Sequence, residues 1–344
     1  MDMKTALFLT YQTARSAHYA GQQLTLPFLD RLATGRKRPL PEDFEAKRLQ
    51  TLNALFDLLK EDSTRISAGV YPWEVLKPEG PGTHWGRFAR ILMDGWRISH
   101  RKEKKDAHDF DDEARVYLEE VPEYYRRNFH FQTGGYLTRQ SARLYEHQVE
   151  ILFAGGADAM RRLILPLMRE KWPGDGEGLH FLEVAAGTGR LSRFVKLAYP
   201  KARVTVTDLS WPYLQEARSR LADLDRVEFM QAAAENLPFK DATYDAVYSC
   251  FLFHELPHAV RRQVVREGMR LLRPGGLYGL VDSLQKNDGE EFQWALEQFP
   301  TEFHEPFFKN YTSHPMEKLL EDAGLQGARC QRGFLAKGLV AEKP

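Results

Sequence analysis

Cysteine is nearly absent: Cys250 and Cys330 stand alone, with no CxxC pair. Two isolated thiols make no disulfide framework, so a reducing compartment, the cytoplasm, is the simpler expectation. Long apolar runs are missing too. Nothing approaches the ~18 residues of a membrane span, and the apolar stretch at 6–9 is too short for a secretory leader. Net charge is also lacking, since 48 basic side chains balance 48 acidic ones. That argues against a nucleic-acid surface built on bulk charge and leaves only local patches. There is no internal repeat and no low-complexity segment. At 344 residues, 43% hydrophobic and 28% charged, the chain reads as globular, with one large or two ordinary domains.

The informative part is one stretch, Gly178-Leu-His-Phe-Leu-Glu-Val-Ala-Ala-Gly-Thr-Gly-Arg190. The apolar run 179–184 reads as a strand, the glycines at 187 and 189 as a turn, and 190–199 as a helix. This is the first unit of a doubly wound α/β domain. Glu183 sits at the carboxyl end of the strand. Gly187 and Gly189 lack the Cβ that would hold a ligand off the backbone, and the helix start offers unpaired N–H groups. Three ligands could use such a turn. A nucleoside triphosphate asks for Gly-Lys-Ser/Thr, but Arg190 and Leu191 follow Gly189. A nicotinamide dinucleotide asks for a third glycine where Ser192 stands. S-adenosyl-L-methionine (SAM) asks for an acidic residue facing its amino group, then closely spaced small residues. Glu183, Ala185, Gly187 and Gly189 supply these. An ordinary tight turn between strand and helix is the plainer alternative.

Around that stretch the chain divides in two. Residues 1–35 read as one or two short helices broken at Pro27. Gly35-Arg-Lys-Arg38 reads as a solvated linker or a phosphate contact. Helical spacing recurs at 42–60, 85–98, 141–152 and 158–172, the last interrupted by Pro166, and 116–125 is short and amphipathic. Residues 71–82 form a loop, and 128–137 is aromatic with adjacent glycines. Beyond the flexible stretch 173–178, strands at 203–207, 227–230, 244–249 and 277–282 alternate with helices at 211–223 and 259–272. That rhythm implies parallel strands with right-handed crossovers. After a helix at 316–323, residues 328–332 and 334–341 predict a hairpin across Gly333 and an antiparallel strand at the sheet edge. The expected fold is therefore a doubly wound, Rossmann-like α/β sheet preceded by an all-helical region. The segments are a helical domain at 1–127, a helical lid or connector at 128–177, and the SAM-binding domain at 178–344.

Asp208 ends the second strand, 25 residues after Glu183. A carboxylate there can accept both hydroxyls of a ribose, or cap the next helix, a role that suits Ser210 better. Taken with Glu183-Val-Ala-Ala-Gly-Thr-Gly189, the segments Ala232-Ala-Ala-Glu-Asn-Leu-Pro-Phe and Leu271-Leu-Arg-Pro-Gly-Gly276 complete a pattern. It resembles the class I SAM-dependent methyltransferases, and within them the branch of the quinone-biosynthesis C-methyltransferases. The resemblance covers about 179–283 well, 284–344 loosely and 1–178 very little. It implies that Glu183, Gly187 and Gly189 line the methionine end of SAM, with Ala185 and Thr188 also among the cofactor-binding residues. Asp208 would hold the ribose, with Leu209 against the adenine and Ala234 and Glu235 bordering it. Many relatives carry an acidic residue where Ala233 stands, so that adenine contact is missing here.

Candidates for chemistry follow the fourth strand, in Ser249-Cys-Phe-Leu-Phe-His-Glu-Leu256. His254 and Glu255 are the expected catalytic groups near the transferring methyl, able to take a proton from the acceptor. A packing or capping role for His254 is the alternative. Cys250 is expected to pack under the cofactor. Asp282 ends the fifth strand. Phe131, Tyr136, Phe253, His304, Phe307 and Tyr311 are expected to shape an aromatic acceptor pocket with it, Tyr136 lying closest to SAM. The expected activity is direct methyl transfer to a small aromatic or apolar molecule, on carbon or oxygen, by a monomer or homodimer. No metal is called for, because His84, His100 and His108 show no ligand spacing. The rivals are methylation of protein or RNA, and a non-catalytic SAM-binding scaffold.

Overall fold

Strand β1 (His180–Glu183) is followed by β2 (Arg203–Asp208), β3 (Val227–Gln231), β4 (Tyr244–Cys250), β5 (Leu272–Ser283), β6 (Gln326–Gly333) and β7 (Ala336–Glu342). In the computed structural model, which describes residues 1–27, 43–78, 80–104 and 107–344, these pair as one seven-stranded sheet, β3-β2-β1-β4-β5-β7-β6. The first five strands run parallel. β1, β2 and β4 are buried on both faces along most of their length, as parallel strands under helices must be. Chain order reverses between β1 and β4, and the crevice beyond their carboxyl ends is where a doubly wound sheet takes its ligand.

The expected antiparallel edge is a pair of strands rather than one. β7 runs antiparallel between β5 and β6, so β6 is the edge. The hairpin turns at Phe334-Leu335, one step beyond Gly333, since Gly333 still pairs with Ala336. Gly338 of β7 lies under the chain at Leu163-Ile164, where an added Cβ would stand 2.9 Å from the Leu163 carbonyl carbon.

Two apolar layers enclose the sheet. One holds the helices Ile164–Lys171, Arg190–Ala198 and Trp211–Arg220 against Phe181, Val204, Val206 and Tyr248. The other holds His258–Leu271 and Met316–Asp322 against Leu182, Val247, Tyr278 and Leu339. The helices Met3–Gln23 and Phe44–Ser67 pack on each other and on 157–163 and the β6–β7 turn. A buried ion pair fixes them: Arg162 donates to both oxygens of Asp62 at 2.9 and 2.7 Å, and Tyr71 adds its hydroxyl at 2.6 Å.

The helical spacing at 158–172 becomes two helices, Ala157–Arg161 and Ile164–Lys171. Pro166 has no N–H for the Arg162 carbonyl, which instead accepts from Leu165 at 3.0 Å. The short amphipathic pattern at 116–125 yields turns and one 3-10 turn of helix, Glu123–Tyr125. Residues 1–23 form one helix, Met3–Gln23. The basic stretch Gly35-Arg-Lys-Arg38 lies outside the described residues. Among the described residues, no helix is long and apolar enough to cross a membrane.

Candidate active site

β1 delivers Glu183 to the crevice, and the turn after it is closed by backbone bonds. Ala186 N–H donates to Thr207 O at 2.8 Å, and Gly189 N–H to Ala186 O at 2.9 Å. Ala185, Gly187 and Gly189 all carry positive φ, +51°, +57° and +75°. Ala185 bears the steric strain that a glycine there would relieve. An ideal Cβ on Gly187 would meet nothing nearer than Tyr213, 4.0 Å away, so the backbone there faces open cleft.

Glu183 is fully buried. Ser192 donates to one of its oxygens, and the other, Oε1, has no hydrogen-bond partner. Burial pushes its carboxyl up to about 8. Asp208 accepts Gly187 N–H and Ser210 N–H, each at 2.7 Å, one on each oxygen, and burial lifts it to about 6. Two hydrogen bonds leave acceptor capacity on both oxygens of a carboxylate. Ser210 caps the helix Trp211–Arg220 by accepting Tyr213 N–H at 3.3 Å.

The opposite wall comes from far upstream. Tyr124, Tyr125, Tyr136, Tyr145 and Glu146 face the strand ends across a cleft that opens to solvent. Tyr136, Tyr145 and Tyr213 meet edge to face, with ring centres 5.4–5.8 Å apart. The wall is tied down by Ser210 Oγ, which donates to Tyr136 O at 2.5 Å. It bends at Gly134 and Gly135. A Cβ on Gly135, φ +55°, would stand 2.6 Å from the Arg127 carbonyl oxygen.

Most of the expected cofactor residues meet in this cleft: Glu183, Ala185, Gly187, Asp208, Leu209, Ala234, Glu235, Cys250 and Tyr136 line it. Glu235 accepts the Tyr124 hydroxyl at 2.7 Å. Thr188 and Gly189 do not line it. Thr188 donates to Glu146, and Gly189 caps the helix Arg190–Ala198. Arg161 does line it, although no motif marks it. It pairs with Glu146 at 2.9 Å. Its neighbour Asp158 is held well below the usual carboxylate range, because Arg190 and Arg15 outweigh its burial.

The expected catalytic pair separates. Glu255 lines the cleft and accepts the Tyr136 hydroxyl at 2.6 Å. His254 does not line it: its Nδ1 stands 2.6 Å from Asp282 Oδ1. Burial alone would lower the His254 pKa, but Asp282 raises it to about 9. Asp282 also accepts Phe253 N–H at 2.7 Å, fixing the turn that carries both residues.

Of the expected acceptor-pocket residues, only Tyr136 lines the cleft. Phe253 and Tyr311 are fully buried, and the Tyr311 hydroxyl donates to Ser283 O at 2.7 Å. Phe131 packs on His304 with ring centres 5.4 Å apart, and burial lowers His304 to about 4. Phe307 lies under the Arg127 guanidinium at 5.1 Å.

Behind Glu255 sits His130, which no sequence motif marks. His130 and Phe131 both have φ +55°, a left-handed conformation costing each about 1–3 kcal/mol and kept where surrounding structure demands it. His130 Nε2 lies 3.0 Å from Glu305 Oε1 and 3.6 Å from Glu255 Oε1.

Residues 181–276 match the family described as "Methyltransferase domain". A ubiquinone/menaquinone biosynthesis C-methyltransferase from Hahella chejuensis is 39% identical over 197 residues, 48% of this chain and 73% of that protein. The enzymes of that name from Brucella anthropi and Pseudomonas savastanoi pv. phaseolicola are 32% and 33% identical, over 54% and 60% of their own lengths. Among solved structures, a SAM-dependent methyltransferase from Aquifex aeolicus aligns with TM-score 0.41 and 20% identity, over 60% of this chain and all of that one. The complex of the Haloferax volcanii Trm112 activator with a methyltransferase aligns with TM-score 0.45 and 17% identity, over 60% of this chain and 97% of that one.

Proposed function

The chain belongs to the class I SAM-dependent methyltransferases, near the branch of the ubiquinone/menaquinone biosynthesis C-methyltransferases, and from that premise we propose that it methylates a small, flat, largely apolar molecule. The observation that carries the reading is the cleft itself. A buried carboxylate with an unsatisfied oxygen, Glu183, and a guanidinium, Arg161, line it together with a wall of tyrosines.

Each residue has a task that its surroundings support. Glu183 Oε1 takes the ammonium of SAM, and Arg161 takes its carboxylate. Asp208 holds the ribose hydroxyls with its remaining lone pairs. Leu209 and Ala234 flank the adenine, and Glu235 borders it. The bound sulfonium supplies an already activated methyl group, so the protein's work is alignment and exclusion of water. Alignment of this kind can supply roughly 7–11 kcal/mol. The acceptor lies between the tyrosine wall and Leu252, Leu256 and Glu255. Glu255, oriented by the Tyr136 hydroxyl, receives a proton from an acceptor hydroxyl or ring carbon or steers that group. His254 acts from behind, its ring held by Asp282. In this reading residues 128–150 serve as a lid on the SAM-binding domain that begins near 178, and residues 1–127 brace the lid.

The cofactor assignment is tested by calorimetry with the demethylated product, S-adenosylhomocysteine. Asp208→Ala is expected to weaken binding by roughly 1.5–3 kcal/mol, the worth of a charge-assisted hydrogen bond. Equal affinity of wild type and variant removes the ribose assignment.

A further inference from the structure

Glu305 is fully buried on the loop before the helix Phe308–Thr312. Neither of its oxygens has a hydrogen-bond partner. A buried ionised carboxylate is expensive unless something of opposite charge meets it. Among the described residues, the ion-pair partners of Glu305 and Glu255 are His130 and, for Glu255, His254 at 3.9 Å. The second cluster of acidic groups, Asp288 and Glu317 beside Cys330, is different. There the buried Lys337 ammonium stands 3.0 Å from Asp288 and 2.8 Å from Glu317, so that cluster carries its own cation. At Glu305, among the described residues, the groups of opposite charge are the imidazoles of His130 and, beyond Glu255, His254, and no lysine or arginine pairs with it.

His130, Glu255 and Glu305 each offer one donor atom, all within 4.8 Å of one another. Donors bound at about 2.1 Å to one ion stand roughly 3.0–3.5 Å apart. The observed 3.0 and 3.6 Å from His130 Nε2 are close to that spacing. His130 is held for the purpose by a left-handed backbone, and Glu255 is aimed by the Tyr136 hydroxyl.

We propose that His130 Nε2, a Glu255 oxygen and a Glu305 oxygen form a binding site for one divalent transition-metal ion at the acceptor end of the cleft. One imidazole and two carboxylates neutralise a doubly charged ion. This N/O donor set suits manganese, iron, cobalt, nickel or zinc rather than a thiophilic ion. Glu255 lines the cleft, so the ion's remaining positions open toward the acceptor. An acceptor bearing an oxygen, or two adjacent oxygens as in a catechol or hydroxyketone, would bind there and be held against the methyl donor. That last role rests on the function proposed above. The binding of the ion does not.

The test is metal binding by the full-length chain stripped with a chelator, without SAM or acceptor. Manganese(II), cobalt(II) and zinc(II) are titrated singly by calorimetry, with the cobalt visible spectrum as a second readout. The expected result is one ion per chain for at least one of the three metals. Its affinity should fall at least about tenfold in Glu305→Gln and in His130→Ala, since loss of even an outer-shell partner costs that much. S-adenosylhomocysteine binding should be retained in both variants, which shows that they fold and separates this site from the cofactor cleft. Glu305→Gln keeps the side chain's shape and carries the test if His130→Ala fails to fold. Absence of stoichiometric binding for all three metals, or unchanged affinity in Glu305→Gln, overturns the site. Failure of the wild type to bind S-adenosylhomocysteine would overturn the methyl-transfer reading instead.

Discussion

Glu183 is the residue on which the cofactor reading can be tested most sharply by pH. In the ligand-free protein its carboxyl titrates near 8 because it is buried, against 4.5 in an unstructured chain. The folded state therefore keeps a proton that the unfolded state has lost. Stability contributed by this group is fully present below about pH 4.5 and falls as pH rises toward 8. An ammonium placed on Oε1 reverses the preference and draws the proton off. Binding of S-adenosylhomocysteine at pH 7 is thus expected to release a proton, with the release fading above pH 8. Calorimetry in buffers of different ionisation enthalpy measures this, and a binding heat independent of buffer would sink the assignment. Glu183, Gly187 and Asp208 were legible in sequence because one short strand–turn–helix motif and the next strand end carry them. Arg161 and His130 were not. Arg161 belongs to a stretch of plain helical spacing and His130 to an aromatic stretch, neither within a motif, and only packing brings Arg161 to the cleft and His130 behind Glu255.

At the scale of elements, the segment from Tyr124 to the end of the helix Arg139–Leu152 forms the wall over the strand ends. Side-chain bonds rather than a backbone ladder hold it to the strand ends, among them Ser210 Oγ to Tyr136 O and Tyr136 to Glu255. A wall so fastened should gain order when the cleft fills. Hydrogen exchange is expected to slow across 128–150 on adding S-adenosylhomocysteine. Gly135→Ala should blunt the effect, because its Cβ meets the Arg127 carbonyl oxygen. Protection confined to 183–209 and 232–256 would leave 128–150 as a plain connector. The first four parallel strands were legible to within a residue at each end, but β5 begins at Leu272 rather than 277, because Pro274-Gly-Gly276, which reads as a turn, lies in an irregularity of its pairing with β4. The β6–β7 hairpin and its antiparallel place at the sheet edge were legible, but not that β7, the second strand of the hairpin, is the one that pairs with β5. Gly333 reads as a turn residue, yet in the sheet it is the last pairing position before the Phe334-Leu335 turn. The amphipathic pattern at 116–125 was legible as a buried face: Leu118 and Val121 pack with Phe110, Ala114 and Leu137.

At the scale of the whole molecule, the N-terminal helices are fastened to the α/β sheet through charge as well as apolar contact. Asp62–Arg162 is buried on both sides, and removing one partner of such a pair costs roughly 3–5 kcal/mol. Asp62→Ala is expected to lower unfolding stability by that amount in urea titration. A change under about 1 kcal/mol would show that the helices merely rest on the sheet. The claim that governs the rest is that this assembly moves a methyl group from SAM to a small flat acceptor. The most direct measurement incubates the full-length protein and methyl-deuterated SAM with a small-molecule extract, then searches every fraction by mass spectrometry for the label. The account predicts a deuterated methyl on a low-mass, aromatic or apolar compound, lost with Asp208→Ala. Label found only on protein or RNA, or on nothing beyond the control, would contradict it.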